Sequence, residues 1–325
     1  MKVVITGGTG FIGQRLGRLL LDRGTIVGPF GRSEEIDELV LFDAVAPERL
    51  SDGLGAARVV AGDVADRETI ATLIDRDDCT VFHLASIVSA GAEKDFDLAL
   101  RVNLQGGLNV LEACRALSSR PRVVVASTYA GFGGEWLPET VSDLTKLTPE
   151  TTYGTTKVIL ELLVNDFTRK GFLDGRSARL PTVIVRPGKP NLAASSWVSA
   201  VFREPLHGLG YVLPVGLDLR HPVAGVRTVV EGLERLHGAD PAMLSHDRAV
   251  TFPSVSVTAG EMVECVRRVG RGRQLGEISV QPDPVIEAIC GSWAKRASFE
   301  PALALGIPHD DSLDSIVRAF VDDYL

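Results

Sequence analysis

Tyr153 and Lys157 stand four residues apart in a segment whose apolar positions, Val158, Ile159, Leu162, Leu163 and Phe167, recur at helical spacing. A helix over about 151–167 therefore presents a phenol and an ammonium on one face. A free phenol titrates near pKa ~10, so acting as a base at neutral pH requires a drop of roughly 2–3 units, about 3–4 kcal/mol, which a neighbouring cation helps supply. Lys157 is such a cation, and it can also bond a ribose. Thr128 ends the run Ala126-Ser127-Thr128 after an apolar strand, where its hydroxyl can bond the oxygen of a reacting alcohol. The chemistry these three suit is removal of an alcohol proton while a hydride leaves the adjoining carbon. Each also has a plainer use: Lys157 can pair with Glu161, and a hydroxyl at a strand end can cap a helix.

A hydride needs an acceptor, and the start of the chain supplies a place for one. Lys2 to Thr6 is a β-branched run, and Ile12, Leu16, Leu19 and Leu20 recur at helical spacing until Gly24. Between them Gly7 permits a tight turn, Gly10 lets backbone approach a phosphate, and Gly13 allows helix and strand to pack closely. The free N–H groups of the first helical turn then face an anion. A dinucleotide pyrophosphate fits such a turn. Asp43 ends the next strand of the sheet, where a carboxylate accepts both ribose hydroxyls and repels a 2′-phosphate, favouring NAD over NADP. The connection over 24–37 makes the spacing from Gly13 to Asp43 long, and Asp43 could instead cap the loop before Pro47.

Strands over 38–43, 58–63, 80–85 and 122–127 alternate with helices over 66–74, 94–117 and 151–167, and a strand over 182–186 completes the set. Strands apolar at consecutive positions, such as Val123-Val124-Val125, belong to a parallel sheet covered on both faces. The expected fold is α/β: a doubly wound parallel Rossmann sheet over 1–186 with a smaller C-terminal substrate lobe over 187–325. That lobe includes a short strand at Ala249-Val250-Thr251-Phe252 and a helix after Thr258 with Met262, Val263, Val266 and Val269 inward. At 325 residues and net charge −8, without basic stripes, the chain has no nucleic-acid surface, and no apolar run reaches membrane-spanning length. Cys79, Cys114, Cys265 and Cys290 are far apart, so no zinc site or redox pair is expected. No metal is expected, His83 reads as a hydrogen-bonded core or cofactor-pocket residue, and the chain, starting at a core strand with no leader before it, reads as cytoplasmic.

The runs Thr6-Gly7-Gly8-Thr9-Gly10-Phe11-Ile12-Gly13, Gly62-Asp63-Val64, Phe82-His83-Leu84-Ala85, Ser127-Thr128, Tyr153 with Lys157, and Arg186-Pro187-Gly188, together with Asn103, resemble the extended short-chain dehydrogenase/reductases, the superfamily of the nucleotide-sugar epimerases and dehydratases. The resemblance covers nearly the whole chain. It implies a catalytic triad of Thr128, Tyr153 and Lys157. It also implies adenine contacts from Asp63 and Val64, phosphate and ribose contacts from Leu84 and Ala85, and further cofactor contacts from Phe11, Ile12, Asn103 and Pro187. A homodimer paired through two helices of each copy is implied as well.

A narrower resemblance, carried by Val185-Arg186-Pro187-Gly188-Lys189-Pro190-Asn191, Arg203-Glu204-Pro205-Leu206, Pro282-Asp283-Pro284 and others, is to members that oxidise C2 of D-erythronate with NAD. It implies a small polyhydroxy-acid substrate and a 2-oxo-tetronate product. Ser86, Thr128, Tyr153, Lys189 and Asn191 are the candidate substrate contacts, because a cation and an amide suit a carboxylate and hydroxyls. Lys189 could equally be an exposed lysine on a rigid proline turn. Two rival functions stay open: a nucleotide-sugar epimerase or dehydratase using NAD transiently, and a dinucleotide-sensing protein without catalysis.

Overall fold

Lys2–Thr6 forms β1, buried at every position and flanked on both sides by parallel strands. The computed structural model of the chain describes residues 1–188 and 193–325. After β1 come α1 (Phe11–Arg23), β2 (Thr25–Val27), β3 (Ser33–Glu35), β4 (Glu38–Asp43), β5 (Arg58–Ala61), α2 (Arg67–Leu73), β6 (Cys79–His83), α3 (Ser89–Lys94), α4 (Phe96–Ala99) and α5 (Gly106–Arg115). Then follow β7 (Arg122–Thr128), α6 (Thr152–Arg169), β8 (Asp174–Leu180), β9 (Thr182–Ile184), α7 (Trp197–Leu206), β10 (Tyr211–Leu213), β11 (Arg220–Gly225) and α8 (Val226–Gly238). The chain ends through β12 (Ala249–Thr251), β13 (Val255–Thr258), α9 (Ala259–Val269), β14 (Ile278–Val280), α10 (Pro284–Gly291), α11 (Glu300–Ala304) and α12 (Leu313–Tyr324).

The central sheet runs β12-β8-β7-β6-β1-β4-β5 and is parallel throughout, the doubly wound arrangement expected. Strand order reverses beside β1, so a crevice opens at the carboxyl ends of β1 and β6. Helices cover both faces, which is why the strands carry few polar residues. Leu16 and Leu20 of α1 with Val229, Leu233 and Leu236 of α8 pack one face. Ile70 and Leu73 of α2, Val110 and Leu111 of α5, and Leu160 and Val164 of α6 pack the other. A smaller sheet, β13-β11-β9, lies under α7, α9 and α12, with Trp197, Phe202, Met262, Val266, Val317 and Phe320 in its core.

Several elements differ from the expectations. The apolar run after Pro181 does not complete the central sheet: β9 pairs with β11 in the smaller one. The central sheet is completed instead by β8, pairing from Arg122↔Asp174 to Thr128↔Leu180. Its sequence, DGRSARL, looks like a loop, yet Arg176 and Arg179 are fully buried because carboxylates neutralise them. Ala249–Thr251, expected in the substrate lobe, is the edge strand beside β8, and α8 packs on α1. Residues past 186 thus contribute to both lobes. The helix expected over 94–117 breaks at Asp95, φ −137°, and includes a π-helical turn at Leu100–Gln105 before α5. The connection over 24–37 holds a small antiparallel hairpin, β2–β3. All four cysteines are buried and free. Among the described residues no helix is long and apolar enough to cross a membrane, and no cluster of His, Cys, Asp and Glu could hold a metal.

Candidate active site

The turn after β1 places helix α1 against the sheet at very close range. Gly7 has φ +70°, and a Cβ on Gly13 would lie 2.3 Å from the Gly7 carbonyl oxygen. No side chain caps the start of α1, so its first N–H groups remain available to an anion. Gly7, Gly10, Phe11, Ile12 and Gly13 line one end of a cavity of about 330 Å³, and Leu84, Ser86, Thr128, Tyr153 and Lys157 line it further in. This bare helix start behind a turn with no room for side chains fits a dinucleotide pyrophosphate.

The other candidate cofactor residues lie outside that lining. Asp43 stands beside the turn, its Oδ2 accepting the Thr9 N–H at 3.2 Å and its Oδ1 the Ala44 N–H at 2.8 Å. The Ala85 N–H reaches the Thr6 hydroxyl at 3.4 Å, behind Gly7. Asp63 is exposed and ion-paired with Arg101; the Ala65 N–H and that guanidinium hold its carboxyl below the ordinary range. Val64 is buried against Gly106, and Pro187 follows the lining residue Arg186.

Asn103, in the π-helical turn, is buried and fully engaged. Its Oδ1 accepts from the Ser86 hydroxyl at 3.1 Å and the Ile87 N–H at 2.7 Å, and its Nδ2 donates to the Ile87 carbonyl at 3.1 Å and Thr156 Oγ1 at 3.3 Å. It braces the loop after β6 against α6. Lys189 and Asn191 lie outside the described residues.

The catalytic candidates are brought together by the start of α6. Thr151 caps it, Oγ1 accepting the Gly154 N–H at 3.1 Å, and a Cβ on Gly154 would lie 2.2 Å from the Ala130 carbonyl oxygen. Helix α6 therefore presses on the turn that follows β7, bringing Tyr153 and Thr128 to the wall of the same cavity. Lys157 Nζ lies 5.8 Å from the Tyr153 ring centroid. Burial raises the phenol above its ordinary value, with the nearby Thr128 hydroxyl acting the other way, and burial lowers Lys157 to about 8 against the pull of Glu161. In this structure Lys157 does not bring the phenol below its ordinary value, contrary to the expectation.

Glu161 is not spent on Lys157 in a direct pair. It accepts Arg179 Nε at 3.1 Å and Nη2 at 2.8 Å, and the Ser127 hydroxyl. His83 bonds Thr6 Oγ1 at 2.7 Å in the core and stays neutral, lowered to about 3 by burial. Sequence reasoning missed the far wall of the cavity, where Arg186, Arg203, His221 and Trp293 join Thr182, Ser195 and Ser199. Thr182 Oγ1 bonds His221 Nε2 at 2.7 Å, and His221, lowered to about 4 by burial, sits between the rings of Trp197 and Trp293. The only signal for Arg186 was its place in the Arg-Pro-Gly run.

Residues 3–233 match the NAD dependent epimerase/dehydratase family. The chain belongs to that family. It is an NAD-dependent oxidoreductase acting on CH–OH groups, with NAD as cofactor. It is 45% identical to a D-erythronate dehydrogenase of Cupriavidus necator over 99% of this chain and 98% of the relative. It is 39% identical to a D-erythronate dehydrogenase of Haemophilus influenzae over 99% of each. The crystal structure of a nucleoside-diphosphate-sugar epimerase from Agrobacterium tumefaciens superposes with a TM-score of 0.91 at 35% identity, covering 100% of this chain and 94% of the other.

Proposed function

We propose that the chain oxidises the C2 hydroxyl of a small sugar acid, D-erythronate giving 2-oxo-tetronate. The observation that carries this reading is the convergence of Thr128, Tyr153 and Lys157 on one wall of the cavity that the glycine cradle also lines. The names of the two relatives supply the substrate. Bound in the cradle, NAD supplies the hydride acceptor and a positive charge. Thr128 orients the reacting oxygen through its hydroxyl, Tyr153 takes the hydroxyl proton, and Lys157 favours the resulting phenolate. Tyr153 is half-buried in the cavity wall, where partial removal from water makes each nearby charge more effective.

Cofactor contacts of this reading are Gly7, Gly10, Phe11, Ile12 and Gly13 at the pyrophosphate, with Asp43 selecting NAD over NADP. The residues over 1–186 supply most of the cofactor side and those over 187–325 most of the substrate side. Four free buried cysteines suit the reducing cytoplasm. We assign a homodimer, with Phe96 of α4 and Leu162 of α6 exposed on the flank available for it.

Following NADH absorbance across four- to six-carbon aldonic acids tests the substrate. Tyr153→Phe is expected to abolish turnover and keep NAD affinity within about threefold; retained activity removes Tyr153 as the base. The epimerase reading is favoured by the likeness to the Agrobacterium epimerase. Bound NAD that converts a nucleotide sugar without accumulating NADH would establish it instead.

A further inference from the structure

The cavity is unusual in its charges. Among the described residues that line it there are three cations, Lys157, Arg186 and Arg203, and neither aspartate nor glutamate. Two of the cations have work within the protein. Lys157 belongs to the Tyr153 pair, and Arg203 donates through Nε to Glu204 at 2.9 Å and through Nη1 to the Arg186 carbonyl at 2.9 Å. Arg186 has no hydrogen bond or ion pair at its guanidinium among the described residues. Its backbone, in contrast, is held at both polar atoms: the N–H donates to Ser199 Oγ at 3.0 Å, and the carbonyl is the acceptor for Arg203.

A half-buried guanidinium held this way, with a second arginine one helix turn past its backbone anchor, is costly unless an anion joins it. Burial and the repulsion of Arg203 both depress its pKa, the direction expected where a countercharge is missing. The planar fork matches a carboxylate in two parallel bonds. Two further lining residues, His221 and Trp293, carry buried ring nitrogens, Nδ1 and Nε1, without partners among the described residues, and such nitrogens suit the hydroxyls of a polyol chain.

We infer that Arg186 receives the carboxylate of the substrate in a bidentate pair and makes this site select hydroxy acids over neutral polyols. The inference rests on the reading under Proposed function and assigns the acid's charge to Arg186, where the sequence had suggested Lys189. Ser199 and Arg203 are positioning residues for it, acting through the Arg186 backbone.

The test compares D-erythronate with its primary amide, which has the same hydroxyls and no charge, in the wild type, Arg186→Met and Arg186→Lys, with NAD affinity measured by fluorescence as the check on folding. Arg186→Met is expected to raise KM for the acid about 100-fold and to change kcat/KM for the amide less than about threefold. Arg186→Lys keeps the charge but loses the fork, so an intermediate rise of about tenfold is expected for the acid alone. Equal losses on acid and amide, or an unchanged KM for the acid, overturn the inference. Where Arg186→Met no longer binds NAD, Arg186→Lys decides by the same comparison. A wild type that oxidises a different hydroxy acid defeats the choice of D-erythronate, and the comparison is then run on that acid and its amide. A wild type that oxidises neutral alcohols and no acid overturns both.

Discussion

Glu161 and Arg179 give the sharpest test of how the catalytic helix is held. Their side chains are 3% and 2% exposed, and the guanidinium meets the carboxylate at 2.8, 3.1 and 3.1 Å. Removing one member of such a pair strands the other, at a cost of about 3–5 kcal/mol. For 325 residues the unfolding entropy is roughly 0.7 kcal/mol per kelvin, so the melting temperature should fall by about 4–7 °C. The two single variants are not equivalent. Glu161→Gln leaves Arg179 near Asp143 at 3.8 Å and Asp247 at 3.5 Å, which places it at the low end. Arg179→Met leaves the carboxylate with only the Ser127 hydroxyl and the more distant Lys157, which places it at the high end. The double variant Glu161→Gln/Arg179→Met removes both charges and should melt above Arg179→Met alone. Thermal unfolding followed by circular dichroism reads all three. A double variant whose loss equals the sum of the two singles refutes the pairing energy, as does an Arg179→Met protein that melts like the wild type.

Other consequences follow from single groups. Lys157 has its folded pKa lowered to about 8 from 10.5, so between those values the unfolded chain binds the extra proton and wild-type stability rises with pH. Relative to Lys157→Met, the wild type should gain up to about 3 kcal/mol, or roughly 4 °C, from pH 7.5 to 10.5; a difference in melting temperature that stays flat with pH contradicts the buried ammonium. Asp43→Ala should raise the ratio of NADP to NAD in kcat/KM by about tenfold or more by removing the carboxylate beside the glycine turn. No change in that ratio takes Asp43 out of the role.

What could be read from the sequence was whatever local rules determine. The turn from β1 into α1 is set by residues within a few positions of one another, and Tyr153 with Lys157 needs only the helical repeat. β8 was illegible for the opposite reason. Asp174-Gly175-Arg176-Ser177-Ala178-Arg179-Leu180 has the composition of a loop, and its burial depends on Glu161, 18 residues back, and on Asp247, 68 residues on. The apolar run Thr182–Ile184 reads the same whichever sheet receives it, so its partner β11 could not be foreseen. Arg186 was visible as part of a motif, but that no Asp or Glu lines the cavity with it among the described residues shows only once the lining is assembled. Asn103 was read as a cofactor contact, while the fold turns its amide inward to the loop after β6.

The chain passes between its two lobes at Pro181, again at Gly225–Val226, and again between Thr251 and Val255. Neither half is therefore a cassette. A truncation at 186 would strip the sheet of its edge strand and of the helix that shields α1, and a transplant of the remainder would carry those pieces into a host that already has its own. New specificities on this scaffold must be reached by exchanging individual wall residues, because the seam offers no clean place to cut.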